Sequence, residues 1–178
     1  MSAVISQTAR LLLDELALDR DERFVLDLLN EPAFLHHIGD RAVRDESAAA
    51  GYIAAQIASY RNNGFGLWRM SERAGGQSLG ICGLVCRQGL SIPDVGYAVL
   101  QAASSRGYAT EAAAATVAYA RDRLGLDRVA AVTKPHNAAS QRVLLKLGFV
   151  PCGLIDLPGI AEPNSYFTLE LAAPRASE

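Results

Sequence analysis

A three-layer α/β fold is predicted here, built on a mixed but largely antiparallel sheet of about seven strands with helices on both faces. Two observations predict it. The hydrophobic patterns follow the order strand, two helices, three strands, helix, strand, helix, two strands. Within that order a strand–helix–strand unit over residues 94–133 sits among hairpin-like neighbours, and such a crossover makes its two strands parallel.

The elements follow in chain order. Residues 10–16 are a short apolar run and the first strand. Asp19 offers an N-cap with Glu22 three positions on. Phe24, Val25, Leu28 and Leu29 then recur at helical spacing until Pro32 stops the helix. Residues 36–43 read as a loop. A second helix covers about 45–62, with Ala49, Ile53, Ile57 and Tyr60 on one side, and Asn63-Gly64 closes it. Strands follow at 65–70, 79–87 and 94–100, the first two joined by Gly75-Gly76. A third helix spans 108–124 with an apolar stripe of Ala113, Val117, Ala120 and Leu124. Residues 128–133 form a buried-type strand, 137–147 a fourth helix, and 149–157 and 165–170 the last strands.

Composition sets the frame. Half of the 178 residues are hydrophobic and 20% are charged, which suits one domain over 1–178 with a sizeable core and a loose tail from residue 172. A net charge of −2 argues against a nucleic-acid partner held by a general basic surface. No apolar run reaches the ~18 residues of a membrane span, and the N-terminus lacks a signal-peptide pattern. Cys82, Cys86 and Cys152 are an odd set of thiols, which points to a reducing cytoplasm. No Cys or His ligands follow at metal spacing, so no metal is expected.

The informative stretch runs from Asp94 to Ala113, where a strand, a loop of small residues and a helix start succeed one another. The first turn of a helix carries unpaired N–H groups and the positive end of the macrodipole. Successive amides of Ser105, Arg106, Gly107, Tyr108 and Ala109 could wrap a diphosphate. Gly107 permits close approach, Thr110 adds a hydroxyl and Arg106 adds charge. A single turn of this kind also occurs without any ligand, and by itself it does not tell CoA from a nucleotide. A second stretch, 134–149, opens the next helix, with Asn137, Ser140 and Leu144 on one face. A Rossmann reading fails, because no G-x-G-x-x-G follows the first strand.

The segments R-G-Y-A-T-E-A and N-x-x-S-x-x-V-L-x-K-L-G-F, in this order and separation, resemble the diphosphate loop and following motif of the GNAT superfamily of N-acetyltransferases. The opening T-A-R-L-L-L resembles the first strand of the ribosomal-protein alanine N-acetyltransferase branch. The resemblance implies acetyl-CoA as donor and a primary amine as acceptor, either a protein N-terminal amine or a small molecule. It implies a V-shaped opening between the strands at 94–100 and 128–133, with Val99, Leu100 and Gln101 facing pantetheine by backbone. It puts the loop bearing His36, His37, Asp40 and Arg41 near the acceptor entrance, with Tyr97 and residues 158–164. A homodimer through sheet or helix edges is also compatible with it.

The chain departs from the family pattern twice. The loop pattern Q/R-x-x-G-x-G/A falls on Ala102, Ser105 and Gly107, so approach at Ser105 is expected to be less close. Many members place a Tyr seven residues after the helix-start Asn to protonate the departing thiolate. Leu144 holds that position here, which moves any acid role to Ser140 on the same face.

The chemistry requires a neutral amine, because an ammonium has no lone pair for attack. Asp94 occupies a place similar to the general-base glutamate of the histone-acetylating branch; it also reads as a solvated turn residue after Pro93. A backbone N–H near Ala98 or Val99 is the expected donor to the developing oxyanion, worth ~3–4 kcal/mol. Ser140 reads either as a donor to sulfur or as a hydroxyl supporting the helix start. Asn137 reads as an N-cap that could also bond a pantetheine amide. Glu111 reads as a charge complementing the helix dipole. The competing reading is a non-catalytic acyl-CoA-binding module.

Overall fold

The structure, a computed structural model, describes residues 3–171; the tail expected from 172 on lies outside the described residues. One continuous sheet holds eight strands in the order β1-β2-β3-β4-β5-β6-β8-β7. They are β1 (Val4–Gln7), β2 (Leu11–Asp14), β3 (Leu67–Glu72), β4 (Ser78–Val85), β5 (Asp94–Val99), β6 (Arg128–Thr133), β7 (Val150–Ile155) and β8 (Asn164–Glu170). Every neighbouring pair is antiparallel except β5 and β6. The strand beyond the expected seven is β1, whose four residues are too few to show a period-2 signal against noise.

Helices α1 (Glu22–Leu29), α2 (Pro32–His37) and α3 (Glu46–Asn63) cover one face, and α4 (Tyr108–Asp122) and α5 (Ala138–Lys146) cover the other. The two apolar layers are distinct. Leu16, Val25, Leu28, Ile53 and Ile81 fill the first; Trp68, Met70, Cys82, Leu84, Ala112, Ala113, Ala120 and Leu144 fill the second. Alanines on the sheet-facing side of α4 let that helix lie close to β4 and β5.

Local chemistry sets most helix ends. Asp45 caps α3 by accepting from Ala48 N–H at 2.8 Å, and Gly64 ends it at φ +76. At the start of α1, Glu22 accepts from Asp19 N–H at 2.7 Å, half of the expected capping box, although the cap itself falls on Asp21. The expected loop at 36–43 needs correction. Pro32 does not merely stop α1; it occupies the first turn of a second helix, where its missing N–H costs nothing, and α2 runs through both histidines.

Candidate active site

β5 and β6 touch and then part. Their ladder has one register pair, Asp94 with Ala130, and Ala130 N–H donates to the Pro93 carbonyl at 2.9 Å. Beyond Asp94 the strands diverge and open a cleft of about 1040 Å³ that runs through the sheet. The register with β4 decides which groups face it. Leu100 N–H donates to the Leu79 carbonyl, so the even-numbered residues of β5 bond to β4. By the alternation of an antiparallel ladder, Val95, Tyr97 and Val99 turn their main-chain groups toward the gap.

At the open end lies the turn into α4. A 3₁₀ turn at Gln101–Ala103 leads through Ser104 to Ser105, at φ +60, and Gly107, at φ +80. Two left-handed residues separated by one fold the loop back on itself, so that its amides converge. No side chain caps the first turn of α4, which leaves the N–H groups of Tyr108, Ala109 and Thr110 free for an anion. The Arg10 guanidinium supports this turn: it donates to the Arg106 carbonyl at 2.9 Å, pairs with Glu111 at 2.7 Å and lies 4.6 Å from the Tyr108 ring centroid. The Arg106 guanidinium also lies over that ring, 5.2 Å from its centroid. Two cations therefore flank the amides. The Tyr108 side chain is buried and bonds Glu72, so only its backbone remains for a ligand. Glu111 has a bracing role, accepting from Thr8 Oγ and from Arg10 N–H.

At the closed end of the cleft stands Asp94, fully buried. Arg87 donates to its Oδ2 from Nη2 at 2.9 Å and from Nε at 3.2 Å, while Oδ1 has no hydrogen-bond partner among the described residues. Burial raises the Asp94 pKa above the ordinary carboxylate range, against the opposing pull of Arg87. The solvated-turn reading of Asp94 is therefore corrected: the β4–β5 hairpin carries it into the interior.

Opposite, Asn137 Oδ1 accepts Ser140 N–H at 3.1 Å and caps α5. The Ser140 hydroxyl lies 2.8 Å from the Tyr97 phenol, which also reaches the Ser140 carbonyl at 3.1 Å. Burial pushes the Tyr97 pKa up to about 12, so the phenol keeps its proton. Leu144 is fully buried in the α4–α5 layer.

A family model described as an acetyltransferase (GNAT) domain matches residues 10–150. The chain belongs to the GNAT acetyltransferase family. It is therefore an acetyl-CoA-dependent N-acetyltransferase. YoaA of Bacillus subtilis strain 168, itself an uncharacterised N-acetyltransferase, is 26% identical over 152 residues, covering 85% of each chain. An acetyltransferase from Agrobacterium tumefaciens strain C58 superposes with a TM-score of 0.78 at 23% identity, over 93% of this chain and 94% of that one. RimL, a ribosomal L7/L12 α-N-protein acetyltransferase in complex with coenzyme A, superposes with a TM-score of 0.82 at 14% identity, over 97% of this chain and 100% of that one.

In this GNAT chain, of the three residues expected to face pantetheine by backbone, only Val99 turns its main-chain groups toward the gap. Leu100 uses its N–H on Leu79 and its carbonyl on Ala103 N–H. Gln101 donates its N–H to the Glu31 carboxylate at 2.9 Å and its carbonyl accepts from Ser104. Both residues therefore have their main-chain groups satisfied within the fold. Of the two residues expected to offer an oxyanion donor, Ala98 bonds to β4 and Val99 faces the gap. His37 and Arg41 line the cleft on the side of the first three helices, while the Tyr97 phenol points to α5.

Four residues were not identified as site residues from sequence. Arg10 and Glu31 act across long chain separations, with no local signal. Arg87 was legible in principle, since it sits across the hairpin from Asp94. His136 stands beside Asn137 in K-P-H-N, but its partners His36 and His37 come from another helix. Burial, and then the two neighbouring imidazoles, lower the His37 pKa. Among the described residues no helix is long and apolar enough to cross a membrane.

Proposed function

We propose that the chain acetylates the N-terminal amine of a peptide or protein by direct attack in a ternary complex with acetyl-CoA. The observation that carries this reading is the parting of β5 from β6 immediately beyond a buried carboxylate with one free oxygen. Acetyl-CoA supplies the activated acyl group. The turn at Ser105, Arg106, Gly107, Tyr108 and Ala109 holds the diphosphate through main-chain amides, with Thr110 adding a hydroxyl and Arg10 and Arg106 adding charge. Val99 pairs with pantetheine, and its N–H is the donor nearest the thioester oxygen. The Asn137 side-chain amide remains available to a pantetheine carbonyl.

Asp94 takes the ammonium proton, directly or through one water; its raised pKa brings it nearer the acceptor amine and makes it a stronger base than an exposed aspartate. Ser140, held by the neutral Tyr97 phenol, hydrogen-bonds the sulfur as it leaves, and the proton shed by the attacking nitrogen passes to the departing CoA thiolate. This pair takes the place of the tyrosine that many relatives carry where Leu144 stands. No covalent enzyme intermediate is needed, since holding both reactants in the cleft supplies the proximity.

The acceptor class follows from charge. Arg41 and Arg87 line that side of the cleft, and its two carboxylates are each paired with an arginine, Asp94 with Arg87 and Asp40 with Arg44. A polyamine finds little to bind there; an extended peptide with one terminal ammonium fits the open groove. Unpaired Cys82, Cys86 and Cys152 suit a reducing cytoplasm.

Release of CoA against a panel of unblocked peptides, N-acetylated peptides and linear polyamines tests the reading. Turnover restricted to unblocked peptides is expected. Turnover restricted to polyamines would overturn the acceptor assignment. Acetyl-CoA binding without turnover against any amine would make the chain a binding module.

A further inference from the structure

Three imidazoles meet at the rim of the cleft and have no role in the transfer described above. His36 and His37 end α2, and His136 lies in the turn before α5. Ring centroids are 4.7 Å apart for His36–His37, 4.7 Å for His36–His136 and 5.6 Å for His37–His136. One ring nitrogen from each lies within 4.8 Å of the others. We infer that His36, His37 and His136 form a binding site for one borderline divalent metal ion of the Zn²⁺, Co²⁺ or Ni²⁺ type. This inference stands independently of the acceptor reading.

Three arguments support it. The first is geometric. A four-coordinate ion with metal–nitrogen bonds of ~2.0–2.1 Å holds its ligand atoms about 3.3 Å apart. His36 and His136 are exposed, so rotation of their rings can close the remaining distance while the half-buried His37 stays fixed. The second is an unmet need. His37 Nδ1 is buried and has no hydrogen-bond partner among the described residues. Leaving such a group unpaired costs about 1–3 kcal/mol. Coordination, or a hydrogen bond to water on a bound ion, relieves it. The third is chemical. The cluster is all imidazole, and the nearby Asp40 carboxylate is engaged by Arg44. An all-nitrogen site suits Zn²⁺, Co²⁺ or Ni²⁺ and does not suit Mg²⁺ or Ca²⁺, which require oxygen ligands.

The placement has a structural consequence. α2 carries the wall of the cleft that bears His37, and α5 carries Asn137 and Ser140. An ion held by all three histidines ties these elements together across the rim. Three protein ligands also leave a fourth position open to water or to a ligand in the cleft.

The test uses metal-free full-length protein at pH 7.5, titrated with CoCl₂ and ZnCl₂. Calorimetry should show one ion per chain, and the cobalt form should develop the intense visible bands of a four-coordinate site. His36→Gln and His136→Gln should each weaken uptake at least about tenfold. Their metal-free unfolding temperatures should match the wild type, because both side chains are exposed. Cys86→Ser with Cys152→Ser should leave uptake unchanged, which excludes the exposed thiols as the ligands. The inference is overturned by absence of stoichiometric uptake, by a cobalt spectrum showing only the weak bands of the aqueous ion, or by uptake that survives His36→Gln combined with His136→Gln.

Discussion

Asp14 and Asp94 are both buried carboxylates at strand ends, both paired with arginine, and they differ in one oxygen. At Asp14, Arg69 donates to Oδ1 and Oδ2, each at 3.0 Å, and Arg20 adds a third bond to Oδ2 at 2.9 Å. That is a bidentate fork with a second cation, and every oxygen is satisfied. At Asp94 both Arg87 bonds fall on Oδ2, and the buried Oδ1 has no hydrogen-bond partner among the described residues. A completed network resists change and holds β2, β3 and the start of α1 together. An incomplete one retains a basic lone pair where a substrate proton can arrive. The contrast separates structure from function better than burial does, since both side chains are buried.

The largest expected effect breaks the functional half of this contrast. Asp94→Asn keeps the shape and removes the base, and kcat should fall ~10²–10⁴-fold near neutral pH. The pH dependence fixes the cause. Wild-type kcat should decline with acidification through the raised pKa of Asp94, above the usual carboxylate range. The variant should lose that limb, and its deficit should narrow as pH approaches the ~8 of an α-amino group, where the acceptor deprotonates unaided. A pH-independent deficit would remove the proton-transfer role. Stability carries the opposite sign to the usual aspartate. A carboxyl whose folded pKa exceeds its unfolded value binds its proton more tightly in the fold. Its contribution to stability is therefore present below the unfolded pKa and is lost as pH rises through the folded one. Above that range Asp94→Asn relieves a burial penalty while Arg87 loses its partner, so thermal unfolding should shift by only a few degrees.

Asp14→Asn should do the reverse. It presents an amide donor to two guanidinium groups inside the sheet and breaks a buried pair, at about 3–5 kcal/mol. The melting temperature should drop roughly 6–20 °C. Turnover per folded molecule should stay within a few-fold of wild type. If Asp14→Asn lost activity while keeping its melting temperature, the distinction between the two carboxylates would fail.

The same division describes what the sequence makes visible. Features written in a few adjacent residues were legible: the Asn137 cap, the free amides around Gly107, and the crossover that sets β5 and β6 parallel. Features joining distant segments were not. Arg69 meets Asp14 across 55 positions and Arg10 meets Glu111 across 101, and neither leaves a periodic trace. β8 lies between β6 and β7, which no local pattern announces. The family resemblance supplied the V-shaped opening and implied that Leu100 and Gln101 face pantetheine, whereas the structure bonds their main-chain groups to Leu79, Ala103, Ser104 and the Glu31 carboxylate. The three-histidine cluster escaped for the same reason: its members share no local sequence window.

A smaller effect tests the loop. Gly107 sits at φ +80, and a Cβ there would lie 3.4 Å from Arg10 Nη2. Gly107→Val places a β-branched residue in left-handed backbone, at about 1–2 kcal/mol. Relaxation should turn the amides of Tyr108 and Ala109 away from the diphosphate. The KM for acetyl-CoA should rise about tenfold with kcat little changed. Unaltered KM would show that the turn does not hold the cofactor.

The smallest effect concerns the position where the chain departs from its relatives. Ser105 stands where the family loop has its first glycine, and it nevertheless adopts φ +60. The backbone conformation is thus retained while the residue suited to it is absent, at a cost of roughly 1 kcal/mol. Ser105→Gly relieves that strain, but it also enlarges the entropy of the unfolded chain by ~0.4–1 kcal/mol. The two terms nearly cancel, so the melting temperature should move by about 2 °C or less. Affinity is the separable readout. Removing the Cβ admits the diphosphate closer to the amides of Arg106 and Gly107, and the KM for acetyl-CoA should fall about two- to fivefold, an effect below 1 kcal/mol. A KM that rises would mean that the Ser105 hydroxyl itself bonds the diphosphate, and the loop would then bind by side chain at the one position where the family uses none.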